Sequence, residues 1–456
     1  MADPNHRSEM SQLSRRGFLQ QTVAAGATAA AAPYFVPSAA LGGTGRTGAN
    51  DKISVGVIGC GSLAKGWHFP ELDKLEDVKV SAVCDVWKER LDWAVERCQG
   101  QATAYRDYRE LLARDDIDAV LIATPPFWHA LMSVHAAEAG KDFYVEKPMT
   151  MYVDESMAVV EAARRHKRIT QVGTQIHADD NYRRVVEYVR SGNLGKIPVV
   201  RTFMVMNQGP EGVGNEPGGD PPPGLDWEMW IGPAPMRPFH RLLIESAYSN
   251  CSFMAYSGGW TPGMAPHIVD LPVWALELGF PKRTLSSGGR YVIRDVGDSP
   301  DTHEVLWEYD DFTMTWWMSL VNSYGFDFQG DNTIRRRLGV YFQGVNGTLW
   351  ANYGMHQIVP EGDRMEGLEP PPPSIPSSPG QHREWIDGIR TRTQPLCNVA
   401  YHHAIDVAIG LANLSLELGR EVRFDPATRK IVGDPEAARR ARPEYRDPWK
   451  FPAQYL

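Results

Sequence analysis

Lys147 stands between Glu146 and Pro148 at the end of a short apolar run, 142–145. An ammonium beside a C–OH group stabilises the alkoxide charge that develops when the hydroxyl loses its proton, and burial suits such a lysine to proton relay. His267 is a residue of a type that exchanges protons near neutral pH. It closes the run Gly258-Gly259-Trp260-Thr261-Pro262-Gly263-Met264-Ala265-Pro266-His267, with Asp270 shortly after. A carboxylate next to an imidazole fixes its tautomer and favours its charged form, so Asp270 can serve His267 if a helix puts both on one face. Upstream, the β-branched run 52–58 ends at Gly59-Cys60-Gly61-Ser62-Leu63-Ala64, a G-x-G-x-x-A spacing. The first glycine permits a tight turn, the second lets a pyrophosphate approach the backbone, and the small Ala64 lets the next helix pack close. A second run, 78–85, ends in Asp85. A carboxylate there accepts both adenosine-ribose hydroxyls and repels a 2′-phosphate, which favours NAD; Lys88 and Arg90 nearby leave NADP open.

These residues act together only if the chain gathers them, and its hydrophobic patterning predicts how. Strands over 52–58, 78–85, 117–123 and 142–145 alternate with helical stretches, the grammar of a doubly wound parallel sheet. In such sheets ligands bind outside the carboxyl ends of the strands. Gly59, Asp85, Thr124 and Lys147 all fall at such ends, with Pro125, Trp128 and His129 just beyond Thr124. After a helix over 180–190 the grammar changes. Strands over 196–206, 284–293, 302–309, 313–320, 338–343 and 347–352 succeed one another without helices, which predicts a large, mostly antiparallel open sheet. Helices over 381–390 and 398–418 close the chain. The proline-rich segments 209–224 and 361–380 cannot donate a regular ladder and are expected as surface loops. The expected organisation is a leader and linker over 1–48, an α/β nucleotide-binding domain over 49–175, and an α+β substrate and oligomerisation domain over 176–456.

A net charge of −9 disfavours nucleic acid, whose binders need clustered uncompensated Lys and Arg. The five cysteines are scattered, without the spacing of a metal cluster or a disulfide framework. Near the start, Ser14-Arg15-Arg16-Gly17-Phe18-Leu19 leads into an alanine-rich apolar stretch and then Ser38-Ala39-Ala40. This resembles a twin-arginine export signal, with cleavage after Ala40, and implies a periplasmic protein whose mature form has no membrane span.

The Glu146-Lys147-Pro148 and Thr124-Pro125 motifs, with the glycine turn and His267, resemble the Gfo/Idh/MocA family of glucose-fructose oxidoreductase and inositol dehydrogenase. The resemblance implies that Lys147 reaches both nicotinamide and substrate. It also implies that Gly59, Gly61, Ser62, Leu63, Ala64, Asp85, Arg90, Thr124, Pro125, Trp128, His129 and Glu146 belong to the cofactor site. His267 matches the family's acid/base histidine. The family's aspartate four residues before it is replaced by Gly263. His177, Tyr182 and Arg183 fall where the family contacts substrate, and Trp227, Trp230 and Trp260 are candidate sugar platforms. The implied activity is NAD(P)-dependent oxidation or reduction of a secondary alcohol of a sugar, cyclitol or polyol by a homodimer or homotetramer. Because free cofactor is scarce outside the cytoplasm, the cofactor is expected to be held tightly and recycled in place. Redox-neutral NAD-dependent glycoside cleavage or epimerisation, and a non-catalytic binding role, remain open alternatives.

Overall fold

Strand β1 (Ile53–Ile58) is buried at every residue, as a strand covered on both faces must be. In the computed structural model, which describes residues 51–325 and 337–456, it lies inside a six-stranded parallel sheet. The other strands are β2 (Val78–Cys84), β3 (Thr103–Tyr105), β4 (Ala119–Ile122), β5 (Asp142–Val145) and β6 (Thr170–Val172), and their order is β3-β2-β1-β4-β5-β6. The chain winds outward from β1 to β3 and then returns to β4, so the crevice between β1 and β4 is the topological switch point where such sheets bind ligands. The expected export signal lies outside the described residues.

Among the described residues the second sheet has nine strands: β7 (Val199–Val205), β8 (Arg283–Gly289), β9 (Thr302–Glu308), β10 (Thr313–Ser319), β11 (Leu338–Gln343), β12 (Gly347–Ala351), β13 (His356–Pro360), β14 (Val422–Asp425) and β15 (Lys430–Ile431). Their order is β13-β12-β11-β7-β10-β9-β8-β14-β15. β7 and β10 run parallel while their neighbours pair antiparallel, so the fold is α/β with a mixed, mostly antiparallel second sheet. The strand expected to reach residue 293 stops at Gly289. Beyond it, the Asp301 carboxylate accepts from Val292 N (2.7 Å) and Ile293 N (2.9 Å), which takes those donors out of the ladder.

Helices join the two sheets. The Asp180–Arg190 helix, capped by Asp179 accepting from Asn181 N, packs on the Pro266–Leu276 helix. Asn398 caps the long Val399–Leu418 helix through Ala400 N and Tyr401 N, and Gly419, at φ +64°, ends it. This helix lies against both β8 and β6. The Gln381–Thr391 helix returns to the first sheet, where Trp385 and Ile386 share an apolar cluster with Ile53, Val55 and Tyr144. A boundary near 175 therefore separates two sheets but not two cores. No helix among the described residues is long and apolar enough to cross a membrane.

Several buried histidines make the fold acid-labile. Burial holds His303 down to about 4, and His382 and His403 down to about 3. An imidazole in the unfolded chain titrates near 6.5. Below that pH the unfolded state takes up protons that the folded state does not. Stability is therefore lost as pH falls from about 6.5, on the order of 1 kcal/mol per pH unit for each ring. Glu155, pushed by burial up to about 7, acts in the opposite sense, destabilising as pH rises from 4.5. One carboxyl does not offset three rings. The thermal midpoint is expected to fall steadily between pH 6.5 and 5; a flat profile would contradict this reading.

Candidate active site

The site is assembled where the strands of the first sheet stop. The chain turns at Gly59, φ +91°, where an added Cβ would stand 2.7 Å from the Ala123 carbonyl carbon and 2.9 Å from Thr124 N. Backbone cannot yield there, so only glycine lets the loops after β1 and β4 meet. Asp85, at the end of β2, accepts from Cys60 N (2.8 Å) and Trp87 N (2.9 Å). Burial raises its pKa, opposed by Arg90 and these two bonds. Two backbone donors leave the carboxylate further acceptor capacity, which suits a ribose diol. Arg90 lies over Gly61, its Nη1 3.3 Å from where a Cβ would stand.

Two cavities follow the strand ends. One, of about 530 Å³, is lined by Gly59, Gly61, Asp85, Arg90, Thr124, Pro125 and Trp128. The other, of about 860 Å³, runs from Gly61, Ser62 and Leu63 past Thr124, Pro125 and His129 to Glu146 and Lys147. They share Gly61, Arg90, Thr124, Pro125 and Trp230, so they form one elongated groove. A dinucleotide fits this donor set: a glycine turn open to the backbone, a guanidinium above it, and a buried acid at one end. Ala64 is the exception among the expected cofactor residues. It is wholly buried beside Val55 and Phe69 and reaches neither cavity, because its smallness serves helix packing.

His129 ties the loops together, with Nδ1 2.7 Å from the Pro148 carbonyl and Nε2 2.7 Å from the Thr124 carbonyl. Burial lowers its pKa although both carbonyls favour the charged ring. Glu146 accepts from Lys147 N (3.1 Å), and its carboxylate packs on Gly173, where any Cβ would collide with it. Behind it, a five-residue π-helix, Ala64–His68, brings the fully buried His68 Nε2 to 3.3 Å from Glu146 Oε1; His68 Nδ1 meets His382 Nε2 at 2.9 Å. Lys147 Nζ donates to the Gly263 carbonyl at 3.1 Å. That carbonyl lies where Trp260–Met264 gives way to the helix beginning at Pro266, and proline cannot continue the hydrogen-bond ladder.

The missing aspartate has a structural counterpart. An added Cβ on Gly263 would stand 2.6 Å from the Cys251 sulfur, so the thiol fills the space a side chain there would need. Burial pushes the Cys251 thiol up to about 11, with Lys147 opposing, which leaves a neutral group beside the ammonium. His267 is buried at 5% exposure, its Nδ1 has no partner among the described residues, and it does not line the groove. Burial first, then positive charge on Lys147 and His402, holds its pKa well below the ordinary value.

Asp270 does not serve His267. It is fully buried and needs donors, which it finds in His177 Nδ1 (3.0 Å) and the Tyr401 hydroxyl (2.7 Å). The expected substrate contacts are also spent on the protein. His177 is stacked on Trp274 at 3.9 Å, the Tyr182 hydroxyl donates to the His267 carbonyl (2.8 Å), and Arg183 donates to the Pro376 carbonyl and to Glu384. All three are buried where the Asp180–Arg190 helix meets its neighbours, so none reaches the groove. With Cys397, His177 and Asp270 bring three ligand-type atoms within 4.8 Å of one another. Trp260 is buried at 1% exposure and is no platform, whereas Trp230 lines the groove with Trp227 stacked on it at 4.7 Å.

Sequence reasoning missed Cys251, Ile244 and the His402–Asp406 pair. His402 Nδ1 meets Asp406 at 2.5 Å and its Nε2 meets the Thr174 hydroxyl at 2.9 Å. Histidine and aspartate four apart on one helix was the available signal for that pair.

Comparison with known proteins agrees with this geometry. A glycosyl hydrolase family 109 protein of Shewanella sp. (strain W3-18-1) is 36% identical over 159 residues, 32% of this chain and 34% of that protein. The chain thus spans about a third of that relative's length. Myo-inositol 2-dehydrogenase from Lactobacillus plantarum superposes with a TM-score of 0.58 at 19% identity, covering 82% of this chain and all of that one (100%). The WlbA dehydrogenase from Bordetella pertussis, solved with NADH and UDP-GlcNAcA, gives 0.60 at 17% identity, covering 82% and 99%. Residues 53–174 match the oxidoreductase family's NAD-binding Rossmann fold and residues 317–451 its C-terminal alpha/beta domain. With a glycine turn, a buried strand-end acid and a strand-end lysine gathered on one groove, the chain belongs to the Gfo/Idh/MocA oxidoreductase family.

Proposed function

We propose that the protein, exported and folded, transfers hydride between NAD and a secondary alcohol of a sugar, cyclitol or related polyol, keeping the dinucleotide between turnovers. The observation that carries this reading is the position of Lys147: it lines the groove that begins at the glycine turn, with its ammonium oriented by the Gly263 carbonyl. Bound in the groove, the nicotinamide would supply the hydride chemistry. The chain's own residues hold the reacting hydroxyl and move its proton. Lys147 donates to the hydroxyl oxygen and, on passing one of its own protons to His267, takes up the hydroxyl proton. His267 is the terminal acceptor, and the burial that keeps it neutral also makes it a weak base. Asp85 favours NAD because a buried carboxylate repels a 2′-phosphate, and the nearby Arg90 already spends its Nη2 on the Ile244 carbonyl. A homodimer or homotetramer is part of the proposal, with the second sheet as the contact face.

The glycosyl hydrolase family 109 relatives favour a second reading, in which the same hydroxyl is oxidised and re-reduced while a glycosidic bond is cleaved. One screen separates the two. Purified protein loaded with NAD is offered polyols, free sugars and aryl glycosides while nicotinamide absorbance and product are followed together. Reduction of bound NAD by a free sugar or polyol supports the dehydrogenase. Aglycone release without net reduction supports the glycosidase. Inertness toward both sinks each of them and leaves a binding protein.

A further inference from the structure

The outer wall of the NAD groove comes from a segment beyond the first sheet, and it is stitched down. Directly after Asp85, Trp87 forms an antiparallel bridge with Leu225. Asp226 N donates to the Val86 carbonyl and Lys88 N to the Gly224 carbonyl, each at 3.0 Å. Arg106 Nη2 lies 3.3 Å from both of those carbonyls and joins the two edges. Further along, Trp128 Nε1 donates to the Trp230 carbonyl (3.0 Å). Gly232, φ +51°, lies so close to the Trp128 indole that any Cβ would run into it. The last tie is Arg90. Its Nη2 donates to the Ile244 carbonyl at 2.6 Å, its guanidinium stacks on Trp87 at 4.8 Å, and its other terminal nitrogen faces Gly61.

We infer that residues 224–250 form a fixed outer wall of the dinucleotide site, with Arg90 as its latch, and that this wall makes bound NAD slow to exchange. The inference rests on the proposed NAD-retaining function and gives it a physical cause. A ligand that enters beneath a wall tied at three places leaves only when that wall opens locally, so its off-rate is the rate of opening. Arg90 couples the two events. Its planar fork can hold the wall carbonyl with one nitrogen and an anionic group over Gly61 with the other, so losing either partner loosens both. Trp230, which lines both cavities, lies on the wall between them.

The test measures exchange rather than turnover. Full-length protein is loaded with isotopically labelled NAD, desalted and chased with unlabelled NAD, and the label remaining on the protein is followed with time. Arg90→Ala is expected to speed release about 10- to 100-fold, as the loss of a charge-assisted hydrogen bond predicts. Gly232→Val should do the same by pushing the wall off Trp128 without touching the phosphate side. Lys282→Ala, which removes an exposed side chain paired with Asp310, should leave the rate unchanged. Circular dichroism and thermal melts establish that each variant is folded. If both wall variants release label as slowly as the parent, the wall inference is wrong while the proposed function stands; if the parent binds NAD yet releases it as fast as they do, the wall inference falls together with the retention of NAD, while hydride transfer stands. A parent that binds no NAD at equilibrium overturns both.

Discussion

Lys147→Ala is expected to lower turnover by about 10²–10⁴-fold on whichever substrate the screen identifies, the range for loss of a positioned acid/base group. The reason is geometric. Lys147 brings a cationic donor to the groove wall at the end of β5, and among the described residues its oriented ammonium rests on a single carbonyl, that of Gly263. An alanine leaves space for water, but water brings neither the positive charge nor the fixed direction that stabilise a developing alkoxide. The other members of the cofactor site are untouched, so NAD content after desalting should match the parent, and the loss should fall on kcat more than on KM. Both readings of the function require this result, because both begin by drawing a proton from a hydroxyl. A Lys147→Ala protein with undiminished kcat would remove the lysine from the mechanism.

Restoring the family aspartate by Gly263→Asp is expected to destabilise the protein by about 1–3 kcal/mol, the usual cost of overfilling a packed site. The new Cβ meets the Cys251 sulfur at 2.6 Å, and the new carboxylate enters a region where burial already raises that thiol to about 11. Paired with Cys251→Ala, the same aspartate has room. The double variant should recover most of the lost thermal midpoint, since neighbouring substitutions of this kind are not additive. It should also change the chemistry. A carboxylate near His267 opposes the burial and positive charge that now depress its pKa, so the acid limb of the activity profile should move to higher pH. Melting curves of the three variants and one pH profile decide it. A single Gly263→Asp variant as stable as the parent would mean that Cys251 does not occupy that space.

The nucleotide-binding half was legible because its signals are local. A glycine turn directly after a β-branched run, and an acid or lysine at the next strand end, declare their positions without knowledge of any distant contact. Helices with clean caps were legible for the same reason: the Asp180–Arg190 helix falls where the periodicity predicts it, and the last long helix begins at the Asn398 cap. The misses are non-local. Asp270 had two histidines to choose from, and it took the one 93 positions away, because the helix that carries it faces the 3₁₀ turn Gln175–Ala178 and Tyr401. Polar residues at the start of the Asp180–Arg190 helix read as substrate contacts by position, but burial against other elements spent them on carbonyls and carboxylates. The exchange between Gly263 and Cys251 was half legible. The missing aspartate showed in the motif, whereas the thiol that replaced its volume comes from an earlier part of the chain, just after the Ala247–Asn250 helix. Strands β13, β14 and β15 escaped notice because two are only 4 and 2 residues long and β13 is largely exposed, too short or too polar for a periodic signal.

The return of the Gln381–Thr391 and Val399–Leu418 helices to the first sheet governs when this protein can become competent. On the ribosome, β1 through β6 emerge early, and Phe69, Leu72, Leu91 and Ala94 cover part of the face that carries Ile53, Val55 and Tyr144, yet that cover is completed only when Trp385 and Ile386 have been made, and the wall over the groove has its own late start. The nucleotide-binding sheet is therefore an early-made, late-finished structure, with part of one apolar face uncovered for most of its synthesis. A chain stopped before residue 381 would therefore leave this face of the nucleotide-binding sheet without the Trp385 and Ile386 that complete it.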